Sequence, residues 1–323
     1  MKIIVTGAAG FIGFHAAQRL AEAGHTVIGL DNLNAYYSLD LKRARLAALP
    51  ATVRFESLDI ADAPALAALV RREAPQVVVH LAAQGGVRYS IENPFAYAHS
   101  NLLGHLSVLE ACRHAEGLSH LVYASSSSVY GDDSEVPFRE TAVVNQPVSL
   151  YAATKASDEL MSSAYAHLYG LKQVGLRFFT VYGRWGRPDM AYWLFAERML
   201  RDEPINVFNE GRMRRDMTHV SDVVAGLAAV VDQAPAFRDG ERPHRVYNVG
   251  NSHPETLIDM IETLEAAVGR PARKTFLPMQ PGDVTETYAD ISRFQADYGY
   301  SPRTPISEGL PDFVAWLRGY LAL

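Results

Sequence analysis

The amino-terminal segment of the chain joins a short apolar run to three regularly spaced glycines. Ile3 to Val5 predicts a buried strand, Gly7, Gly10 and Gly13 follow it, and a helical pattern continues through Leu20. Glycines at such a junction allow a tight turn, let the backbone approach a pyrophosphate and let the helix pack closely on the strand. The spacing is Gly-x-x-Gly-x-x-Gly, which departs from the general fingerprint Gly-x-Gly-x-x-Gly. The segment predicts a dinucleotide-binding fold with the diphosphate at the helix N-terminus.

A second predicted strand, Val27 to Leu30, ends at Asp31. An acidic side chain at this point of a dinucleotide-binding unit accepts hydrogen bonds from both hydroxyls of the adenosine ribose. The same carboxylate would repel a 2′-phosphate. Asp31 therefore favours NAD over NADP as the cofactor.

Strand-like runs recur along the first half of the chain, with helical patterns between them. They lie at Val53 to Glu56, Val77 to Leu81, Leu121 to Ala124 and Gln173 to Phe179. This alternation predicts an α/β fold, a Rossmann-type doubly wound parallel sheet covered on both faces.

A helix is expected from Asn93-Pro94 through Leu109, and others at Ser221 to Val231 and Pro254 to Val268. We expect a dinucleotide-binding domain over 1–180 and a smaller C-terminal substrate-binding lobe mainly over 181–323. A strand at Arg245 to Val249, within 215–250, would complete the sheet, so that the two parts interleave in sequence.

Composition narrows the classes of function. The net charge of −6 argues against a nucleic-acid-binding surface. Cys112 is the single cysteine, which excludes an internal disulfide and fits a reducing cytoplasm. The chain has no uninterrupted apolar stretch of membrane-spanning length, and its 11 histidines lack paired ligand spacing, so we expect no membrane insertion and no metal site.

The chemistry is concentrated in two later segments. Tyr151 and Lys155 are four residues apart on a predicted helix and so share one face. A phenol ordinarily has a pKa of about 10. A neighbouring ammonium together with a positive nicotinamide ring favours the phenolate, which makes Tyr151 a candidate base. The run Ser125 to Ser128 follows a predicted strand, where hydroxyls would face a ligand crevice.

These motifs, in this order, resemble the extended short-chain dehydrogenase/reductases, and among them the NAD-dependent nucleotide-sugar epimerases and dehydratases. The resemblance covers essentially the whole chain. It is carried by Thr6-Gly-Ala-Ala-Gly-Phe-Ile-Gly13, His80-Leu-Ala-Ala-Gln84, Tyr123-Ala-Ser-Ser-Ser-Ser-Val-Tyr-Gly131, Tyr151-Ala-Ala-Thr-Lys155 and Arg215-Asp-Met-Thr-His-Val-Ser-Asp222. Four further segments resemble the UDP-glucuronate 4-epimerases: Asp31 to Tyr37, Gly85 to Ser90, Thr180 to Met190 and Met279 to Val284.

The resemblance implies roles for individual residues. Ser126 corresponds to the catalytic Ser/Thr, Tyr151 to the base and Lys155 to its electrostatic partner. NAD would be bound by Gly7, Gly10, Phe11, Ile12, Gly13, Asp31, Asn32, Asp59, Ile60, Leu81, Ala82, Ala83, Gln84, Asn101, Ser125, Tyr151, Lys155 and Phe178. The UDP-sugar would be bound by Arg88, Ser126, Ser127, Ser128, Thr180, Arg187, Asn206, Val207, Phe208, Arg215 and Asp283.

The implied reaction interconverts UDP-glucuronate and UDP-galacturonate through a transient 4-keto sugar. Decarboxylases of the family carry an acidic residue, and dehydratases an Asp-Glu pair, where this chain has Ser127 and Ser128. Epimerases of neutral sugars, such as UDP-glucose or UDP-N-acetylhexosamine, and a UDP-glucuronate decarboxylase remain alternatives, as does a non-catalytic NAD-binding protein. Relatives dimerise through two helices that would be Phe95 to Ala115 and Tyr151 to Tyr169, which implies a homodimer.

Overall fold

The apolar runs of the sequence form strands in a computed structural model, which describes residues 1–132, 135–279 and 284–323. The strands in chain order are β1 (Lys2–Thr6), β2 (Thr26–Asp31), β3 (Arg54–Ser57), β4 (Val77–His80), β5 (His120–Ser126), β6 (Gln173–Phe178), β7 (Thr180–Tyr182), β8 (Ile205–Phe208), β9 (Arg214–His219), β10 (His244–Val249), β11 (Pro254–Thr256) and β12 (Lys274–Leu277). The helices are α1 (Phe11–Glu22), α2 (Leu39–Ala48), α3 (Ala63–Glu73), α4 (Tyr89–Glu92), α5 (Pro94–Tyr97), α6 (Gly104–Arg113), α7 (Leu150–Tyr169), α8 (Ala191–Leu200), α9 (Val220–Asp232), α10 (Leu257–Val268), α11 (Ser292–Tyr298) and α12 (Ile306–Leu321).

Seven of these strands form one sheet in the order β10-β6-β5-β4-β1-β2-β3. Strand β1 pairs in parallel with β2 on one side and with β4 on the other, so the strand order reverses between β1 and β4. In a doubly wound sheet, ligands bind beyond the carboxyl ends of the strands at such a reversal. The expected Rossmann-type fold is confirmed, and its topology directs attention to the residues that follow β1 and β4.

Both faces of the sheet are buried. On one face Ile4, Ile28 and Val78, which are register partners, pack with Leu66 of α3 and Leu109 of α6. Alternate residues of a strand point to opposite faces. On β1 these alternate residues, Ile3 and Val5, are fully buried as well, on the side where α1 packs. Cys112 lies in the core on the face covered by α3 and α6.

The chain forms two units that alternate along the sequence. The first contains Met1–Gly131, Val143–Arg177 and Val224–Tyr247, and the second contains Asp132–Ala142, Phe178–Val223 and Asn248–Leu323. The second unit has a three-stranded sheet, β11-β9-β7, and a two-stranded one, β12-β8, with α10 packed against α8 and α12. Which unit binds which ligand stays a prediction.

Two of the predicted helices have different boundaries. The segment expected to be one helix from Asn93-Pro94 through Leu109 is α5, then a π-helical segment, Ala98–Leu103, then α6. Pro254–Thr256 forms β11 rather than the first helical turn. The Thr256 side chain accepts a hydrogen bond from Asp259 N and caps α10, so the helix begins at Leu257.

None of the helices in the described ranges is both long and apolar enough to cross a membrane.

Candidate active site

The glycine turn after β1 is closed by contacts that leave no room for side chains. Gly7 has φ +75°, and a Cβ there would lie 2.8 Å from the backbone nitrogen of Ala82, in the loop after β4. A Cβ on Gly13 would lie 2.0 Å from the carbonyl oxygen of Gly7. The turn thus packs directly on α1 and on the β4 loop. A backbone cradle of this kind at the sheet reversal fits the diphosphate of a dinucleotide.

The first turn of α1 has amide groups available for an anion. The helix is preceded by Gly10, which has no side chain to cap it, and the first intrahelical bond runs from Phe14 N to Gly10 O. The amides of Phe11, Ile12 and Gly13 come before that bond, and free amides at a helix N-terminus bind phosphates. These predicted cofactor residues therefore lie together.

A second group of predicted cofactor residues meets at the end of β2. The Asp31 carboxylate accepts hydrogen bonds from Ala9 N at 3.2 Å and Leu33 N at 2.8 Å. Asn32 Nδ2 donates to Asp59 Oδ2 at 3.0 Å. Ile60 is buried beside them. The structure thus brings the predicted ribose and adenine residues onto neighbouring loops.

Two cations near Asp31 were missed by the sequence analysis. Lys42 and Arg45 of α2 are buried, and burial lowers the pKa of the Lys42 ammonium, an effect that the Asp31 charge opposes. Lys42 Nζ donates to the carbonyl and side-chain oxygens of Asn34, and Arg45 donates to Ala9 O. These bonds fix the loop that presents Asp31. In the sequence, Lys42 and Arg45 could have been recognised as a pair of cations on the same helix face as the apolar Leu41.

The loop Leu81–Gln84 is held between the glycine turn and the helix α7. Thr6 Oγ1 accepts from the amides of Leu81 and Ala82. Asn101, in the π-helical segment, accepts from Gln84 N at 2.8 Å and donates to Thr154 Oγ1 of α7 at 3.0 Å. Single π-helical turns within helices often mark functional sites. Asn101, predicted to bind the cofactor, braces the loop Leu81–Gln84 against α7. Ala83, on this loop, is exposed.

The three predicted catalytic residues lie in the first unit. Ser126 ends β5, and its hydroxyl accepts from Ser128 N and donates to Ser128 Oγ, both at 3.2 Å. Tyr151 lies in the first turn of α7, half-buried, and Lys155 is one turn further on and buried. Helix α7 packs on β5 and on the 3-10 turn Ser127–Tyr130 that follows it. The fold therefore places the serine run against the helix that carries Tyr151 and Lys155.

Ser125, predicted to bind the cofactor, is engaged elsewhere through its side chain. Its hydroxyl donates to Glu159 Oε1 at 2.5 Å, and Arg177 donates to both oxygens of Glu159. Arg177 also donates to Tyr130 Oη. The side chains of Ser125, Tyr130, Glu159 and Arg177 are all buried in this network, so the Ser125 hydroxyl is held by Glu159.

The predicted sugar and nucleotide residues are divided between the two units. Arg88 is exposed in the first unit, and Phe178 and Thr180 lie on either side of the step between β6 and β7. Arg187 forms a two-pronged ion pair with Asp189, a partner that the sequence analysis did not foresee.

On β8, Val207 is fully buried and the side chains of Asn206 and Phe208 are partly exposed. Alternation along the strand therefore presents the latter two on the face opposite to Val207. Asp283 lies outside the described residues.

Arg215, on β9, is oriented by carbonyl groups. Its guanidinium donates to Val284 O at 2.6 Å and to Arg214 O at 3.0 Å. The next residue, Asp216, is buried and accepts from the amides of Asn251, Ser252 and Ala289. Asp216 thereby fixes the strand that carries Arg215.

We expect Asp216→Asn to lower the free energy of unfolding by about 3 kcal/mol, because an NH2 group would face backbone donors and leave buried groups unpaired. Urea denaturation measures the change. Glu262→Gln, at an exposed position of α10, is the matched control and should change it by less than about 0.5 kcal/mol. Equal stability of the two variants would contradict the role given to Asp216.

A doubly wound dinucleotide-binding unit that presents a serine, a tyrosine and a lysine in this arrangement defines an extended short-chain dehydrogenase/reductase. The chain belongs to the NAD dependent epimerase/dehydratase family, which its sequence matches over residues 3–250. NAD is accordingly its cofactor, and the glycine cradle, the open α1 terminus and Asp31 fit that group.

Relatives of known name agree with this family. A probable UDP-glucuronate 4-epimerase of Rhizobium meliloti is 42% identical, with 98% of this chain and 96% of that protein aligned. UDP-glucuronate 4-epimerase 4 of Arabidopsis thaliana is 44% identical, with 99% of this chain and 76% of that protein aligned. The crystal structure of UDP-glucuronic acid 4-epimerase from Bacillus cereus, in complex with UDP-glucuronic acid and NAD, superimposes with a TM-score of 0.91 at 34% identity, covering 99% of this chain and 100% of that one.

Proposed function

We propose that the protein is a UDP-glucuronate 4-epimerase, which interconverts UDP-glucuronate and UDP-galacturonate. The observation that carries this proposal is the serine run after β5, packed against the helix of Tyr151 and Lys155. Ser127 and Ser128 stand where related decarboxylases and dehydratases carry acids. With no acid there to deliver a proton, the ketone formed at C4 is left to be reduced again. Full-length similarity to named UDP-glucuronate 4-epimerases supports the same substrate.

Tyr151, Ser126 and Lys155 have different roles in the proposed reaction. Tyr151, as phenolate, removes the proton of the sugar 4-hydroxyl, and Ser126 hydrogen-bonds the same oxygen. Lys155 supplies the positive charge that stabilises the phenolate. NAD, when bound, would supply the acceptor for the hydride of C4 and the donor for its return. Epimerisation follows when the 4-keto sugar turns over within the site and Tyr151 gives the proton back to the opposite epimer.

A uronic acid creates an additional requirement, because its 4-keto form is a β-keto acid that readily loses carbon dioxide. Decarboxylation needs the breaking bond to stand perpendicular to the carbonyl plane. We assign Ser127, Ser128 and Thr180 to hold the carboxylate away from that alignment by hydrogen bonds, which are stronger in a water-excluded site. All three side chains are partly exposed and therefore accessible.

The diphosphate and uridine are assigned to the remaining predicted residues. Arg215 is the leading candidate for the diphosphate, since a guanidinium bonds phosphate oxygens in pairs. Arg88 and Arg187 are further candidates, and Arg187 reaches a phosphate only by sharing or leaving Asp189. Asn206, Val207 and Phe208 are assigned to the uracil, and Asp283 to the uridine ribose.

Proton NMR of the purified protein with UDP-glucuronate, with and without added NAD, tests the substrate. UDP-galacturonate formed without carbon dioxide is the expected product. A UDP-pentose would instead identify a decarboxylase, and the serine argument would be wrong. Turnover of UDP-glucose or UDP-N-acetylhexosamine in place of UDP-glucuronate would identify an epimerase of neutral sugars.

The assembly is proposed to be a homodimer through α7 and the segment from α5 to α6. Both present large apolar side chains to solvent: Phe95 is 83% exposed, Leu160 72% and Leu168 65%, and Leu103 and Leu106 are exposed beside them. Apolar side chains grouped in this way mark protein interfaces. A reducing, cytoplasmic location is proposed on the single, buried Cys112.

We expect Leu160→Glu to weaken the dimer by about 100-fold or more, because a charge would be buried in the contact. Sedimentation across a concentration series measures the shift toward monomer. Leu194→Glu, at an exposed leucine of α8 in the second unit, is the control and should leave the dimer intact. Identical sedimentation of both variants would place the contact elsewhere.

A further inference from the structure

Helix α7 has two adjacent buried carboxylates with different surroundings. Both oxygens of Glu159 accept hydrogen bonds from Arg177. Asp158 accepts one bond on Oδ2, from Lys155 Nζ at 2.9 Å. Its Oδ1 is buried without a hydrogen-bond partner in the described part of the chain. An unpaired buried oxygen is unfavourable for the fold, so the contact with Lys155 is the one that accounts for a carboxylate at this position.

Lys155 depends on this partner for its charge. The ammonium is almost completely buried, with 4% of the side chain exposed, and 1% of the Asp158 side chain is exposed. Although burial alone lowers the pKa of Lys155, the Asp158 carboxylate, with smaller contributions from Tyr151 and Glu159, raises it above its ordinary value. Burial raises the pKa of Asp158 to about 6. Both groups are therefore charged at neutral pH.

The rings packed around this pair carry no compensating charge. His105 Nε2 lies 2.9 Å from Ser162 Oγ, and the His80 and His105 rings stack at 5.3 Å. Burial, together with the charge of Lys155, lowers the pKa of His105 to about 3 and that of His80 well below its usual range. The titratable or charged groups around Asp158 are Tyr151, Lys155 and Glu159 on α7, His105 on α6, His80 on β4, Tyr123 on β5 and Arg177 on β6.

We propose that Asp158 is a positioning residue of the active site, whose carboxylate holds the Lys155 ammonium protonated and in place and sets the pH range in which Tyr151 and Lys155 act. This inference rests on the roles of Tyr151 and Lys155 in the proposed function. Asp158 itself does not touch the substrate in this scheme. It acts through Lys155, one turn before it on the same helix.

The direction of the effect follows from the sign of the charge. Removing a negative charge beside Lys155 favours loss of its proton, so the alkaline limb of the activity profile moves to lower pH. The same change favours the phenolate of Tyr151, so the acid limb also moves to lower pH. A charge within hydrogen-bond distance shifts a titration by about 1 to 3 units, and the effect on the more distant Tyr151 is smaller.

The test is the pH dependence of kcat and kcat/KM for Asp158→Asn, which keeps the shape and removes the charge. We expect both limbs to shift to lower pH, the alkaline one by about 1 unit or more. Ser162→Ala is the control, because it removes a buried polar group one turn further along α7 without changing a charge. The pH profile of Ser162→Ala should coincide with that of the unsubstituted protein in both its acid and its alkaline limb.

A second readout does not depend on the substrate. The ultraviolet difference spectrum between the protein and its Tyr151→Phe variant isolates the phenolate of Tyr151, and the same pair is compared in the Asp158→Asn background. We expect the phenolate to form at lower pH in that background. If Asp158→Asn does not fold, Asp158→Ser replaces it.

Unmoved limbs and an unmoved phenolate titration in a folded variant would overturn the inference, even with reduced kcat. Failure to turn over UDP-glucuronate, with the phenolate titration shifted, would overturn the proposed substrate and leave the role of Asp158 supported.

Discussion

Tyr151→Phe is expected to lower kcat by about 10³-fold or more, within the upper range of losses for a general base. The variant keeps the ring, which lies half-buried at the start of α7 and meets the Tyr97 ring edge-on at 6.1 Å. It removes only the oxygen that takes the proton of the sugar in the proposed function. Binding of UDP-glucuronate and NAD should therefore change little, and the loss should fall on kcat rather than KM.

The measurement is steady-state turnover by NMR, with NAD content and thermal unfolding recorded alongside. Tyr169→Phe is the matched control, because Tyr169 ends the same helix with an exposed ring. It should retain full activity. A Tyr151→Phe variant that keeps more than about a tenth of the turnover would assign the base to another residue, since loss of a general base costs at least about 10².

Gly13→Ala is expected to weaken NAD binding by about 100-fold, equivalent to about 3 kcal/mol. The added Cβ would stand 2.0 Å from the carbonyl oxygen of Gly7 and 2.6 Å from its carbonyl carbon. Both atoms are backbone, so no side-chain rotation relieves the overlap, and α1 must move away from the turn. The amides of Phe11 and Ile12 then no longer converge on the position predicted for the diphosphate.

Isothermal titration of the NAD-free protein with NAD gives the affinity directly. Gly319→Ala is the control, because nothing lies within 4 Å of a Cβ built at Gly319 in α12. Its affinity for NAD should equal that of the unsubstituted protein. Unchanged affinity in Gly13→Ala would mean that the diphosphate does not bind over this turn.

The parts of the fold that could be read from the sequence are those governed by local pattern. The strands β1, β4 and β10 lie within one residue of the predicted runs at each end, since buried parallel strands are short apolar segments. The three catalytic candidates could be predicted because each belongs to a short motif, and their roles remain predictions. Motifs of this kind place residues on an element, and the order of elements in a doubly wound sheet then brings them to one edge.

What the sequence did not predict depends on contacts between distant segments. In the sequence, Lys42 and Arg45 have the pattern of surface cations on a polar helix. Only their bonds to Asn34 and Ala9 explain their burial. The π-helical segment at Ala98–Leu103 has no pattern of its own. Its role is visible only in the structure, where the Asn101 side-chain amide bonds to both Gln84 and Thr154.

Side-chain partners of the predicted site residues were equally hidden. The bond of Ser125 to Glu159 and the ion pair of Arg187 with Asp189 redirect groups that the motifs alone would aim at a ligand. Such pairings depend on rotamers and on neighbours that a motif does not specify.

The order of strands in the large sheet bears on how the protein is made. Strand β6 ends at Phe178, and its outer neighbour β10 begins only at His244. While the ribosome synthesises the intervening residues, the nascent sheet has an open edge at β6, with backbone groups that another strand could pair with. Completion of the seven-stranded sheet must wait until Val249 has left the exit tunnel. This interval is therefore when newly made chains are most exposed to mispairing and most dependent on chaperones.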